Sequence, residues 1–182
     1  MRMTAEARRD HLLDCAWDMI AADGVEHMTL ARLAQRGGVS KPLAYEHFIS
    51  RSGLLAALYL RYCQRYLDKM RTEITQAGSP QEAADLLAHS YVGCILGAGP
   101  AAVALEGALC GSAETEAVRR SCDEAFLQAC REIFAQFGTD APSLITLVAF
   151  SGAAKELTSK AESGAFAAEE IVTFLSGLLY PR

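Results

Sequence analysis

The chain has 182 residues, with 22 acidic and 17 basic side chains giving a formal charge of −5, which excludes a uniformly basic nucleic-acid coat. At 51% hydrophobic and 21% charged residues it can bury a core and is not intrinsically disordered. The longest stretch without an acidic, basic or histidine side chain, residues 90–105, is broken by Gly97, Gly99 and Pro100 and falls short of the ~20 apolar residues of a spanning helix, so no membrane segment is expected.

Leu12, Ala16, Met19 and Ile20 recur at i, i+4, i+7 and i+8, predicting a helix that ends at Asp23 and Gly24. No apolar stretch follows the early arginines as a signal peptide would require. Thr29 can cap a short helix carrying Leu30, Leu33 and Ala34, which stops at Gly37 and Gly38. Val39 and Ser40 open a second short helix through Phe48, and residues 49–53 are a break. A long helix over 54–76 follows, with Leu55, Leu58, Tyr59, Tyr62, Tyr66, Met70 and Ile74 on one side. Ser79, Pro80 and Glu82 place an N-cap, an N1 proline and an N3 glutamate, a strong start signal. That helix is predicted to break at residues 97–100 and a short apolar one to cover 101–109. Gly111 and Ser112 open another, striped by Val118, Cys122, Phe126, Ala129, Ile133 and Phe137. After a turn at 138–142, helices are expected over 143–162 and 167–179. The fold class is all-α, three small helices and about six longer ones, divided into domains 1–52 and 53–182.

Charge is uneven along this order. Residues 1–53 hold seven basic and seven acidic side chains; the remainder holds ten and fifteen. Within residues 29–51, Arg32, Arg36, Lys41 and Arg51 face only Glu46, so a local basic segment sits on an acidic protein, as expected of one face that meets a polyanion. The six cysteines form no C-x-x-C pair, and Cys122 and Cys130, eight apart on one helix, would be about 12 Å apart, too far for a disulfide. Reduced thiols in a cytoplasmic protein are expected. No metal or cofactor site is expected.

A helix, a tight turn containing glycine and a second helix make a helix-turn-helix. Ala34 is small where the helices cross, Gly38 supplies a turn where positive φ costs little, and Val39 is the buried turn residue. Leu30, Leu33 and Phe48 can form a floor with Trp17 and Ile20. The second helix must then expose Lys41, Leu43, Tyr45 and His47 to a groove.

Residues 12–55 resemble the N-terminal domain of the TetR family of bacterial regulators. The matching features are Ala16 to Gly24 at the end of the first helix, the Thr-Leu-Ala-Arg-Leu-Ala helix from Thr29, Gly-Val-Ser-Lys at 38–41, and Tyr45-x-His47-Phe48. The resemblance implies phosphate contacts from Thr29, Tyr45, His47 and Arg51, where a lysine is usual, with Lys41 reaching a phosphate or a guanine edge. Ser40, Pro42 and Leu43 complete the candidate DNA face. Pro42 and Leu43 stand where the family usually has Gly-Thr. Proline restrains the residue before it from helical angles, so Lys41 is expected to act as the cap and the helix to start one residue late. Leu43 suits a thymine methyl. The chain has no asparagine, so few polar base contacts are expected.

The resemblance further implies that the last two helices pair with their mates in a homodimer on a palindromic duplex operator. Candidates are Leu144, Leu147, Val148, Ser151, Ile171, Phe174, Leu175 and Leu178, apolar or small at helical spacing. It implies too that the middle helices enclose a small-molecule inducer whose binding releases the operator by linkage. The candidate pocket residues are Tyr59, Tyr62, Cys63, Tyr66, His89, Cys94, Glu106, Cys122 and Phe126. Singly, the tyrosines read as core more often than as pocket wall, and His89 as a satisfied, partly buried histidine. Glu106 must find a partner, face solvent or await a cation. An enzyme is not expected: H-E-x-x-H, P-loop and G-x-S-x-G patterns are missing from the sequence. The alternatives are a redox-sensing regulator using Cys63, Cys94, Cys110 or Cys122, with Arg119 the one thiolate-favouring neighbour, a small helical enzyme, or a helical binding module that does not touch DNA.

Overall fold

A computed structural model describes residues 3–110, 113–138 and 141–180. Among them the chain forms eight α-helices and one short 3-10 turn, with no strand: α1 (Ala5–Asp23), the 3-10 turn (Val25–His27), α2 (Leu30–Arg36), α3 (Lys41–Phe48), α4 (Arg51–Ile74), α5 (Pro80–Ala108), α6 (Ala113–Ala135), α7 (Leu144–Glu162) and α8 (Ala168–Leu179). The all-α expectation holds. The helix start expected at Gly111 and Ser112, and part of the turn expected at 138–142, lie outside the described residues.

Local chemistry explains the boundaries. Thr4 caps α1 through Ala7 N, Thr29 caps α2 through Arg32 N, and Ser143 caps α7 through Thr146 N. At α5, Ser79 Oγ accepts from Glu82 N at 3.2 Å while Glu82 reaches back to Gly78 N at 2.7 Å, so the pair satisfies two exposed amides. Ala167 has no side-chain acceptor to cap α8, but its own amide donates to Glu170 Oε2 at 2.9 Å. Residues 97–100 interrupt the helix as expected. α5 passes through them with a kink at Gly99 (φ 61°, ψ −160°), and Pro100 then opens the second segment, where its missing amide costs no hydrogen bond. α5 has a mean hydropathy of 1.4 over its most apolar window and is long enough to cross a membrane, yet Leu87, Ala88 and Leu105 on it are core residues.

The chain packs as two compact units. One compact unit comprises residues 1–63 and 99–122, the other residues 64–98 and 123–182. The first unit buries Leu12, Leu33, Phe48, Leu54, Leu58, Leu105 and Leu109 in one core. Arg61 ties α4 to α1 by donating to Asp10 O and pairing with Asp14, both at 2.9 Å. Trp17 stacks on Tyr62 with ring centroids 5.5 Å apart. The second unit buries Met70, Ile74, Leu87, Phe134, Phe150 and Leu175 in its own core, where Tyr91 meets the rings of Tyr66, Phe126 and Phe150 edge-on.

Candidate functional site

The helix-turn-helix is built from α2, α3 and the link between them. Gly37 N donates to Leu33 O and Val39 N to Ala34 O, closing the turn, while Gly38 takes φ +65°. A Cβ on Gly37 would meet Leu12 Cδ2 at 2.5 Å, so a side chain here requires the buried Leu12 of α1 to shift. Leu30, Leu33 and Ala34 of α2 and Ala44 and Phe48 of α3 are all buried, which pins the two helices by their inner faces.

That pinning sets what α3 can present. Lys41, Pro42, Tyr45 and Glu46 are exposed, Tyr45 at 51%, whereas Leu43 and His47 are half-buried. Of the four residues expected on this face, Lys41 and Tyr45 stand in the open, joined by Pro42, with Leu43 and His47 at the edge. Nε2 of His47 is buried without a hydrogen bond, so that nitrogen is turned away from an outside anion. α3 does not start late. Ser40 is the N-cap in extended conformation, Lys41 is the first helical residue, and Pro42 sits in the first turn. Amides of that turn have no intrahelical acceptor, which is why proline is tolerated there. Thr29 is exposed, and its hydroxyl oxygen caps α2, which leaves the hydroxyl hydrogen to donate outward.

Two of the four cations of the basic stretch are engaged within the unit. Arg32 pairs with Asp23 at 2.5 Å and donates to His27 O at 2.9 Å. Arg51 donates from Nε to Met28 O at 3.0 Å and from Nη2 to Val25 O at 2.8 Å. Arg36 and Lys41, either side of the turn, remain exposed. The sequence reading missed Arg9, whose Nη1 donates to His47 O at 2.8 Å with the guanidinium 4.9 Å from the Phe48 ring centroid. The acceptor is a carbonyl, so no side-chain pattern announces the contact.

The nine pocket candidates do not gather in one unit. Tyr59, Tyr62, Cys63, Glu106 and Cys122 belong to the first, and Tyr66, His89, Cys94 and Phe126 to the second. His89 is exposed with Nε2 3.8 Å from Glu169, so the expectation of a partly buried histidine is corrected: it lies on the outer side of α5. Tyr59 and Cys122 are core residues, and Glu106 is half-buried. A cleft of about 160 Å³ on the second unit is lined by Arg71, Ile74, Thr75, Ala129, Glu132, Ile133 and Gln136, none of them a candidate. Among the described residues no group of three metal-ligating side chains gathers. Arg119 pairs with Glu116 at 2.6 Å, and the guanidinium holds that carboxylate below its ordinary range.

The dimer candidates split by exposure. Leu147, Ile171 and Leu175 are buried in the second unit's own core, and Ser151 and Leu178 are half-buried. Leu144, Val148 and Phe174 are exposed at 51%, 55% and 56%, joined by Ile145 at 82%.

Residues 12–58 match the sequence model of the bacterial regulatory proteins of the tetR family. The HTH-type transcriptional activator FasR of Mycolicibacterium smegmatis is 34% identical over 76 residues, 42% of this chain and 33% of that protein, so the match spans about a third of the relative's length. FadR from Bacillus subtilis, solved in complex with stearoyl-CoA, superposes with a TM-score of 0.76 at 15% identity, covering 95% of this chain and 98% of that one. A TetR/AcrR regulator from Thermobifida fusca YX-ER1 gives 0.73 at 21%, covering 96% and 97%. At such identities these two structures establish the fold alone. The motif between α2 and α3 and its pinned inner face lie within residues 12–58, and over that stretch the chain matches the tetR family of bacterial regulatory proteins.

Proposed function

We propose that the chain is a ligand-responsive transcriptional regulator of the cytoplasm, binding a palindromic duplex operator as a homodimer and repressing until a small-molecule inducer releases it. One observation carries this reading: α3 is held by Ala44 and Phe48 on its inner side and presents Lys41, Pro42 and Tyr45 outward. A helix so mounted can lie in a major groove, with side chains of its first turns at the base edges. Tyr45 and the Thr29 hydroxyl supply phosphate donors, and Arg36 and Lys41 supply charge beside them. The exposed Leu144, Val148 and Phe174 support pairing of α7 and α8 with a second copy. The ring cluster of Tyr66, Tyr91, Phe126 and Phe150 favours an apolar inducer. The FadR neighbour was solved with stearoyl-CoA, which makes a long-chain acyl thioester the first compound to try.

Replacing Lys41 and Tyr45 together by alanine is expected to weaken operator binding by about 100-fold, from roughly 1–3 kcal/mol at each lost contact, with helicity and oligomeric state unaltered. The assay is duplex titration against a fragment selected from the source genome, followed over a salt series in which log K must fall linearly. Unchanged affinity of the double variant, or a flat salt response, removes α3 from the groove.

A further inference from the structure

Arg51 opens α4 beside the DNA face, yet one edge of its guanidinium is turned into the protein. Nε donates to Met28 O at 3.0 Å and Nη2 to Val25 O at 2.8 Å. These two nitrogens share the side-on edge of the guanidinium, so both hydrogen bonds come from one rigid fork. The carbonyls suit it. Met28 is 1% exposed, and its carbonyl precedes Thr29 O, which accepts the first hydrogen bond of α2 from Leu33 N. Val25 O closes the 3-10 turn by accepting from Met28 N at 3.1 Å and has a second lone pair for the arginine.

The mounting of Arg51 is equally fixed. Ile49, just before it, holds φ +62° and ψ −51°, and Ser50 N donates to Phe48 O at 2.6 Å, a tight γ-turn. Gly53 N donates to Ser50 Oγ at 3.0 Å, and a Cβ on Gly53 would fall within van der Waals distance of the Phe48 carbonyl oxygen. The fork therefore joins two stiff corners, the one between α1 and α2 that leads into Thr29 and the one that ends α3.

Resting on the DNA-binding reading, we propose that Arg51 is a positioning residue that braces the α1–α2 corner against the end of α3, acting on the duplex through those elements and not through a phosphate. Lysine cannot replace it. An ammonium is a single compact charge without the planar edge that holds two carbonyls at once.

The test compares the full chain with Arg51→Lys and, as a second variant, Arg51→Ala. Each is titrated with a labelled random-sequence duplex and with the duplex enriched from that pool, over a salt series, at a temperature where circular dichroism shows every chain folded. Arg51→Lys is expected to bind the enriched duplex about tenfold more weakly, the scale of lost hydrogen bonds from a charged donor, with the slope of log K against log salt unchanged. Amide exchange at Arg32 and Leu33, the first amides held by Thr29, is expected to quicken in both variants. A slope smaller by about 0.9 in Arg51→Ala and restored in Arg51→Lys marks a phosphate contact and overturns the proposal. Unchanged affinity of Arg51→Lys with only a lowered Tm marks a purely structural role and overturns it too. If the unaltered chain binds neither duplex, the DNA reading fails by itself. The brace is then decided by exchange, quickened rates upholding it and unchanged rates overturning it.

Discussion

Ile49 is a β-branched residue at φ +62°, the one non-glycine position with positive φ among the described residues. Such a backbone costs about 1–3 kcal/mol, and the side chain, 83% exposed, recovers little of it by burial. Ile49→Gly removes the strain and loses roughly 0.5–1 kcal/mol to chain entropy, so a gain of about 1 kcal/mol in urea denaturation is expected. A loss would show that the isoleucine side chain itself holds the corner. Cys130 carries a different kind of stress. Burial pushes its thiol up from 9.0 to about 12. Because the folded value is raised, the neutral thiol's contribution is complete below the unfolded value and fades as pH climbs toward 12. The stability difference between the unaltered chain and Cys130→Ala should accordingly shrink above pH 9.0. A constant difference in urea midpoint across that range would contradict the burial. Burial also raises Cys15, although Asp14 and Asp18 add to it. Neither thiol is activated, and Arg119, three residues before Cys122, is paired with Glu116. Alkylation at neutral pH should reach the exposed Cys110 and spare Cys122 and Cys130.

At the scale of elements, α5 shows a glycine setting shape. Gly99 lies at φ 61°, ψ −160°, a region nearly confined to glycine, while a Cβ there would meet no atom within 4 Å. Gly99→Ala should therefore cost about 1–3 kcal/mol through the backbone alone, read as a lower Tm. Unchanged stability would mean that α5 accommodates the residue by straightening. The sequence announced both the interruption here and the second helical segment after it. Glycine spacing marks where φ is free without saying which φ is taken. Elsewhere the apolar stripe of Leu12, Ala16 and Ile20 and the Ser79–Glu82 cap were legible, because side-chain type carries both. The helix-turn-helix was legible for the same reason: Ala34 is buried at the helix crossing and Gly38 takes φ +65°, although Val39, expected to be buried, is only half-buried. What could not be read were the single hydrogen bond of Arg9 and the fork of Arg51. Their acceptors are main-chain carbonyls, identical at every position, and only the folded path brings them within reach. Nor did periodicity distinguish Leu147, wholly buried, from Val148, more than half exposed, since both fit an apolar helix with two faces.

For the whole molecule, charge and apolar surface point the same way. The acid excess lies entirely after residue 53, while Arg36 and Lys41 stand exposed beside the turn. A polyanion is thus attracted to one end of the sequence and repelled by the rest, which orients its approach. A single head of this kind grips one groove face, and two are needed to read half-sites about 34–36 Å apart. Leu144, Ile145, Val148 and Phe174 form the apolar surface on α7 and α8 through which a second copy would bring the other head. Val148→Glu and Phe174→Glu test this without touching the core. Both side chains are more than half exposed within the subunit, so folding stability should shift by no more than about 0.5 kcal/mol. Buried charges facing each other across a symmetric contact would be expensive, and sedimentation should report monomers. Because each head neutralises its own set of phosphates, the salt slope for duplex binding should fall to about half in the monomeric variants. Dimers that persist in both variants would move the pairing surface away from α7 and α8. A monomer with the full slope would instead show that one copy carries all the phosphate contacts.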